Sequence, residues 1–192
     1  NGVSRTGDTL LLTDMNLQVV SGSGDTDGTV NGKGNIIIGY NEDIFPYMGG
    51  VLPASDKTGS HNLVVGKGLN YSSYGALVSG MDNVSGAEYA SVIAGSRNQA
   101  TAYGSSVSGG TTNITSGVFS SVSGGGGNLA SGQSSSVSGG SNNTASGNSS
   151  SVSGGSSNTA SGNFSSVSGG ISNRAFGGQS TVSGGLSRTT VG

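Results

Sequence analysis

The residues Ser135-Ser-Val-Ser-Gly-Gly-Ser-Asn-Asn-Thr-Ala-Ser-Gly-Asn-Ser149 are followed at once by Ser150-Ser-Val-Ser-Gly-Gly-Ser-Ser-Asn-Thr-Ala-Ser-Gly-Asn-Phe164, a copy displaced by 15 positions. The same phase extends in both directions. The Val recurs at Val92, Val107, Val122, Val137, Val152, Val167 and Val182, and Leu77 reads as its counterpart one step earlier. Three positions after each stands a Gly, from Gly80 to Gly185. Six positions after stands an Asn, at Asn83, Asn98, Asn113, Asn128, Asn143, Asn158 and Asn173, before Arg188 breaks the series. A small residue, mostly Ala, follows eight positions on, and from Gly117 a second Gly follows at ten. A flexible Gly/Ser linker has no reason to hold phase through seven successive intervals, so the chain reads as a repeat architecture and not as disorder.

Strand geometry turns the repeat into a shape. Each unit holds two short candidate strands, Ser-Ser-Val-Ser-Gly and Asn-Thr-Ala-Ser-Gly, each closed by a Gly-rich turn. Side chains alternate faces along a strand, so an inward Val places Ser106 and Ser108 outward, and in the second strand Ala is the inward residue. Stacked coils put each strand about 4.8 Å from its predecessor, with the backbone hydrogen bonds running along the stack. The Gly positions supply turns with positive φ. Two roles are open to the Asn column, a left-handed turn position or an amide ladder between coils. One Val and one Ala make a thin interior for a whole ordered coil, which predicts association with further copies of the chain.

Composition narrows the alternatives. Gly supplies 39 of the 192 residues, and only 8% are charged where an ordinary soluble domain carries about 25%. Long helices are excluded at that Gly content, and aromatic residues at 5% cannot fill an ordinary core. No apolar run approaches the roughly 20 residues that span a bilayer, so no direct membrane insertion is expected in this segment. A net charge of −2 argues against nucleic acid or an anionic membrane as partner. The absence of Cys removes disulfides and thiolate metal sites. Beginning at Asn1, the chain is expected to be a mature piece of something longer.

The units Ser-Val-Ser-Gly-Gly-x-x-Asn-x-Ala-Ser-Gly resemble the head repeats of trimeric autotransporter adhesins, the YadA-like left-handed β-roll. The resemblance covers residues 62–192, with a unit one residue longer than is usual in that family. It implies an all-β repeat solenoid, a left-handed parallel β-roll of 15-residue coils, assembled as a homotrimer. It further implies an extracellular or cell-surface fibre or adhesin that binds glycans or proteins of a host, prey or matrix. Two rival readings share the repeat: the shaft of a phage-tail or injection-system fibre, and an ice-binding protein whose outward Ser106/Ser108 pairs form a hydroxyl ladder.

Residues 1–61 read as an N-terminal cap with irregular coils. Of the 16 charged residues, 14 lie in the first 97. Asn62-Leu-Val-Val-Gly66 and Asn35-Ile-Ile-Ile-Gly39 read as earlier coils, the second standing further upstream of the first than a single coil requires. Residues 9–13 and 16–20 read as strands of a cap that covers the open edge of the stack. Between them and the regular coils lies an inserted loop, 40–60, in which exposed aromatic rings beside carboxylates mark a candidate ligand site: Tyr40, Asn41, Glu42, Asp43, Phe45 and Tyr47. The competing reading is a loop folded back over the cap or a subunit seam. Asp25-Thr-Asp27-Gly28 begins like a calcium loop but lacks the later ligands and reads as a polar turn. His61, the only His, is expected to cap or hydrogen-bond. No catalytic residue, metal site or cofactor is expected, and the chain is not expected to be an enzyme.

Overall fold

The computed structural model describes residues 2–45 and 54–191, and all regular structure among them is β. The chain winds as a parallel β-solenoid of about nine turns with coils of about 15 residues. One line of strands begins at Ile36–Ile38, continues through Leu63–Lys67 and Leu77–Met81, and ends at Thr181–Val182. The second runs from Asn70–Tyr71 to Thr189–Thr190. Every regular coil gives one short strand to each line, paired in parallel with its neighbours: Ser106↔Ser121 and Val107↔Val122 in the first, Ile114↔Leu129 and Thr115↔Ala130 in the second. A single bridge per coil, such as Thr111↔Gly126, adds a third line of contact.

Alternation along these strands sorts the side chains. The Val column from Val92 to Val182 is at most 4% exposed, and the Ala column, Ala100, Ala130, Ala145, Ala160 and Ala175, is fully buried. Together they form one continuous core. Ser108 is exposed and Ser106 half-buried, but the same alternation carries inward the Ser two positions before each Val, which the repeat pattern alone did not single out. Ser105, Ser120, Ser135, Ser150 and Ser165 are therefore a further interior column. The hydroxyls of the last four have no hydrogen-bond partner among the described residues. Ala90 and Ala76 occupy the corresponding position in the two coils that precede Ser105.

Of the two roles open to the Asn column, the structure shows the ladder. Asn128 is typical. Its backbone N–H donates to Oδ1 of Asn113 at 3.0 Å, and its own Oδ1 accepts the N–H of Asn143 at 2.9 Å. Its Nδ2 donates to the carbonyl of Gly124 in the same coil at 2.9 Å and to that of Gly140 in the next at 3.1 Å. Each amide is thus satisfied by backbone groups of its own coil and its neighbours. The left-handed conformation falls on the preceding residue, at Arg97, Thr112, Asn142, Ser157 and Ser172. Glycine is required elsewhere: a Cβ on Gly132 would overlap the carbonyl of Gly147 in the next coil.

The stack is not uniform at its start. Val78, not Leu77, pairs with Val92, and Val78 is fully buried where Leu77 is half-buried. The first two steps of the core column, Val64 to Val78 to Val92, are therefore one residue shorter than those that follow, which corrects the assignment of Leu77 to the Val position. Met81 bridges Ser96, so one more residue lies between Val92 and Ser96 than between Val78 and Met81. The longer coil begins there, and the strands on the Val line shorten from five residues to two. Upstream, Ile36–Ile38 pairs with Leu63–Lys67, and the inserted loop occupies the extra length between them. Val3–Thr6 and Thr9–Leu12 form a separate antiparallel hairpin, and residues 16–20 are not a strand.

The interior columns set two expectations for stability. Asn128→Ala leaves the Asn143 N–H and the Gly124 carbonyl without their partner, and takes one of two donors from the Gly140 carbonyl, which keeps the Gly126 N–H. It should lower stability by about 3 kcal/mol in urea unfolding. Ser150→Ala removes a buried hydroxyl that has no partner and copies Ala90, so it should raise stability by about 1 kcal/mol in the same assay.

Candidate functional site

Two regions of the surface depart from the monotony of the repeat. The first is the inserted loop, and both of its described arms are tied to the coils beneath. Lys57 reaches back across the loop: its Nζ donates to the carbonyl of Asn41, to that of Glu42 at 2.6 Å, and to Oδ1 of Asp43 at 3.3 Å. Tyr71, a core residue, donates its hydroxyl to Oδ1 of Asn41 at 3.1 Å. Asn70 holds the returning arm, with Nδ2 donating to the Ala54 carbonyl at 2.9 Å and Oδ1 accepting the Asp56 N–H at 3.1 Å. The Phe45 N–H donates to Asp82 at 3.0 Å, and Ile44 is buried beside it.

This arrangement separates the six sequence candidates. Tyr40 is 93% exposed and Phe45 is 63% exposed, so both rings face solvent. Asn41 is engaged with Tyr71, and Asp43 with Lys57. Glu42 places Oε2 in a buried position without a partner among the described residues. Tyr47 lies outside the described residues. The described arms are therefore held against the first coils, and among the described loop residues only Tyr40 and Phe45 stand as exposed aromatic groups. Asp43 titrates below the ordinary carboxylate range, through a hydrogen bond from Ser55 first and then through the hydrogen bond and the charge of Lys57.

His61 closes a neighbouring surface depression lined by residues 18–26. Its Nε2 accepts the Ser21 N–H at 2.9 Å and its Nδ1 lies 3.0 Å from the Thr26 carbonyl, which calls for the tautomer protonated at Nδ1. With both nitrogens occupied by backbone groups, the ring acts as a clip on the 21–26 segment.

The second region is a corner of the solenoid, where four rings follow one another up successive coils. Tyr74 meets Tyr89 with centroids 5.3 Å apart and planes at 86°. Tyr89 meets Tyr103 at 5.8 Å and 81°, and Tyr103 meets Phe119 at 5.4 Å and 86°. Such edge-to-face pairs each contribute about 0.5–1.5 kcal/mol beyond their burial. Tyr89, Tyr103 and Phe119 nevertheless remain 41 to 55% exposed. Carboxylates gather beside the lower rings. The Tyr74 hydroxyl is pushed up to about 12, by desolvation first and then by the charge and hydrogen bond of Glu88. Desolvation also raises Tyr89, with the charge of Asp27 next. Higher on the same corner the rings give way to exposed amides, linked by Gln133 N–H to Asn148 Oδ1 at 3.3 Å and Asn148 N–H to Asn163 Oδ1 at 3.0 Å.

Sequence reasoning missed this ladder, although its signal was present. Tyr74, Tyr89, Tyr103 and Phe119 follow the repeat closely but drift off its exact phase, so they fall outside a column-by-column comparison. Comparison with protein-family models and with curated proteins yields no match to this chain.

The loop clip has a pH signature. Because the Asp43 carboxyl is depressed in the folded chain, its contribution is present above the unfolded value and is lost as pH falls through the folded one. A carbon-detected NMR titration should place Asp43 below 3.8, with Ser55→Ala and Lys57→Met each raising the midpoint.

Proposed function

We propose that the chain is a segment of an extracellular bacterial surface fibre or adhesin, a left-handed β-roll assembled as a homotrimer that holds a binding surface away from the cell. The observation that carries this reading is the division between a constant interior and a variable corner. Inward positions repeat Val, Ala, Asn and Ser from coil to coil, while the corner changes from Tyr103 through Phe119 and Gln133 to Asn148 and Phe164. A solenoid with a fixed interior and changing outward residues is suited to display. The resemblance of the repeat units to trimeric autotransporter heads supports the same reading and supplies the number three.

Association is supported by the N-terminal region. Val3, Leu10, Leu11, Leu17, Val20 and the strand Ile36–Ile38 are exposed on the single chain. A two-stranded hairpin is marginal alone in water, and among the described residues no side chain of this hairpin joins either core cluster. Burial between copies removes that surface from water.

Sedimentation equilibrium should return the mass of three chains, and Leu10→Asp with Leu11→Asp should shift it toward one. The trimer should be retained on an array of surface polysaccharides and matrix proteins. A folded monomer overturns the assembly, and a trimer retained by no surface overturns the adhesive role.

A further inference from the structure

The ring ladder has a geometry that selects a ligand class. Neighbouring rings are perpendicular, so two in succession cannot turn their faces to the same side. A flat ligand lying along the corner therefore meets an aromatic face only at every second coil, about 10 Å apart at the usual strand spacing. That interval is commensurate with the disaccharide repeat of an extended β-1,4-linked glycan, in which alternate pyranose rings turn the same way. The axial C–H face of a pyranose is apolar and suits an exposed aromatic face, while its equatorial hydroxyls need hydrogen-bond partners at the flank. The corner supplies both. Glu88, Asp25 and Asp27 are exposed beside the lower rings, and Gln133, Asn148 and Asn163 continue the line above them.

We infer that the corner built from Tyr74, Tyr89, Tyr103 and Phe119 is a binding track for a neutral, linear β-1,4-linked polysaccharide laid parallel to the solenoid axis. The carboxylates exclude an anionic chain from the lower part of the track, since like charges beside the rings repel it. The inference deepens the adhesive reading, on which it rests for its biological setting but not for its chemistry. It also moves the site away from the inserted loop, whose exposed Tyr40 and Phe45 join none of the ring pairs seen among the described residues.

Calorimetry on the intact chain with chitohexaose, cellohexaose and a polygalacturonate oligomer of similar length tests it. At least one neutral hexamer should bind and the anionic oligomer should not. Two double variants then separate the alternate faces: Tyr74→Ala with Tyr103→Ala, and Tyr89→Gly with Phe119→Gly, where Gly suits the positive φ of both positions. One pair should weaken binding at least tenfold and the other less than threefold, with circular dichroism and sedimentation unchanged, and Tyr40→Ala should have no effect. Binding of neither neutral hexamer overturns the inference, as does equal loss, or no loss, in both pairs. A drop from trimer to monomer in either variant would make the corner a subunit seam and overturn it too. None of these results alters the mass of the wild-type chain or its retention on the wider array, which test the adhesive reading separately.

Discussion

A parallel solenoid has to keep every coil in register with the next, although its neighbours could slide by one residue at little local cost. Here the constraint is met by the buried asparagine. Its carbonyl oxygen takes the backbone N–H of the following Asn, and its amino group bridges two carbonyls on successive coils. A slip of one residue would leave all of these groups unpaired inside the protein, where each loss costs about 1–3 kcal/mol. The Val and Ala columns add burial but little selectivity, since an aliphatic contact tolerates displacement better than a hydrogen bond does. The small side chains, the tight turns and the close approach of Gly132 to its neighbour become possible once that register is held.

Much of this was written in the repeat itself. The period, the inward Val and Ala and the all-β character follow from spacing and strand alternation. The fate of the Asn column did not, because a left-handed turn and an amide ladder require the same residue type. Leu77 was misplaced for a different reason: sequence alignment by Gly80 and Asn83 keeps the later phase, whereas the backbone inserts its extra residue after Val92. Only the strand pairing reveals where that residue is accommodated. The buried Ser column was hidden by its polarity, which suggests a surface position unless alternation is followed one step further back.

The candidate sites differ in the same way. Aromatic residues close together in sequence drew attention to the inserted loop, where Lys57, Asn70 and Tyr71 in fact tie much of the backbone down. The rings of the corner are separated by whole coils and come together only because the solenoid winds. Winding converts a separation of one full coil into a contact of 5.3 to 5.8 Å, so a surface of this kind is invisible to any short window of sequence.

The hydrogen bonds that join the coils lie along the axis of the solenoid, and this gives the molecule a mechanical character. A pull along that axis places all the coil boundaries in series under one tension, so the weakest yields first, because the covalent chain runs around the coil and not straight across each boundary. Rupture of a boundary releases one coil, or roughly 50 Å of extended chain, and the tension falls before the next boundary yields. Tension would thus be dissipated in a series of near-equal steps set by the repeat, with the amide ladder fixing the force of each. The same regularity that makes the rod stiff at rest makes it a graded extensible tether under load.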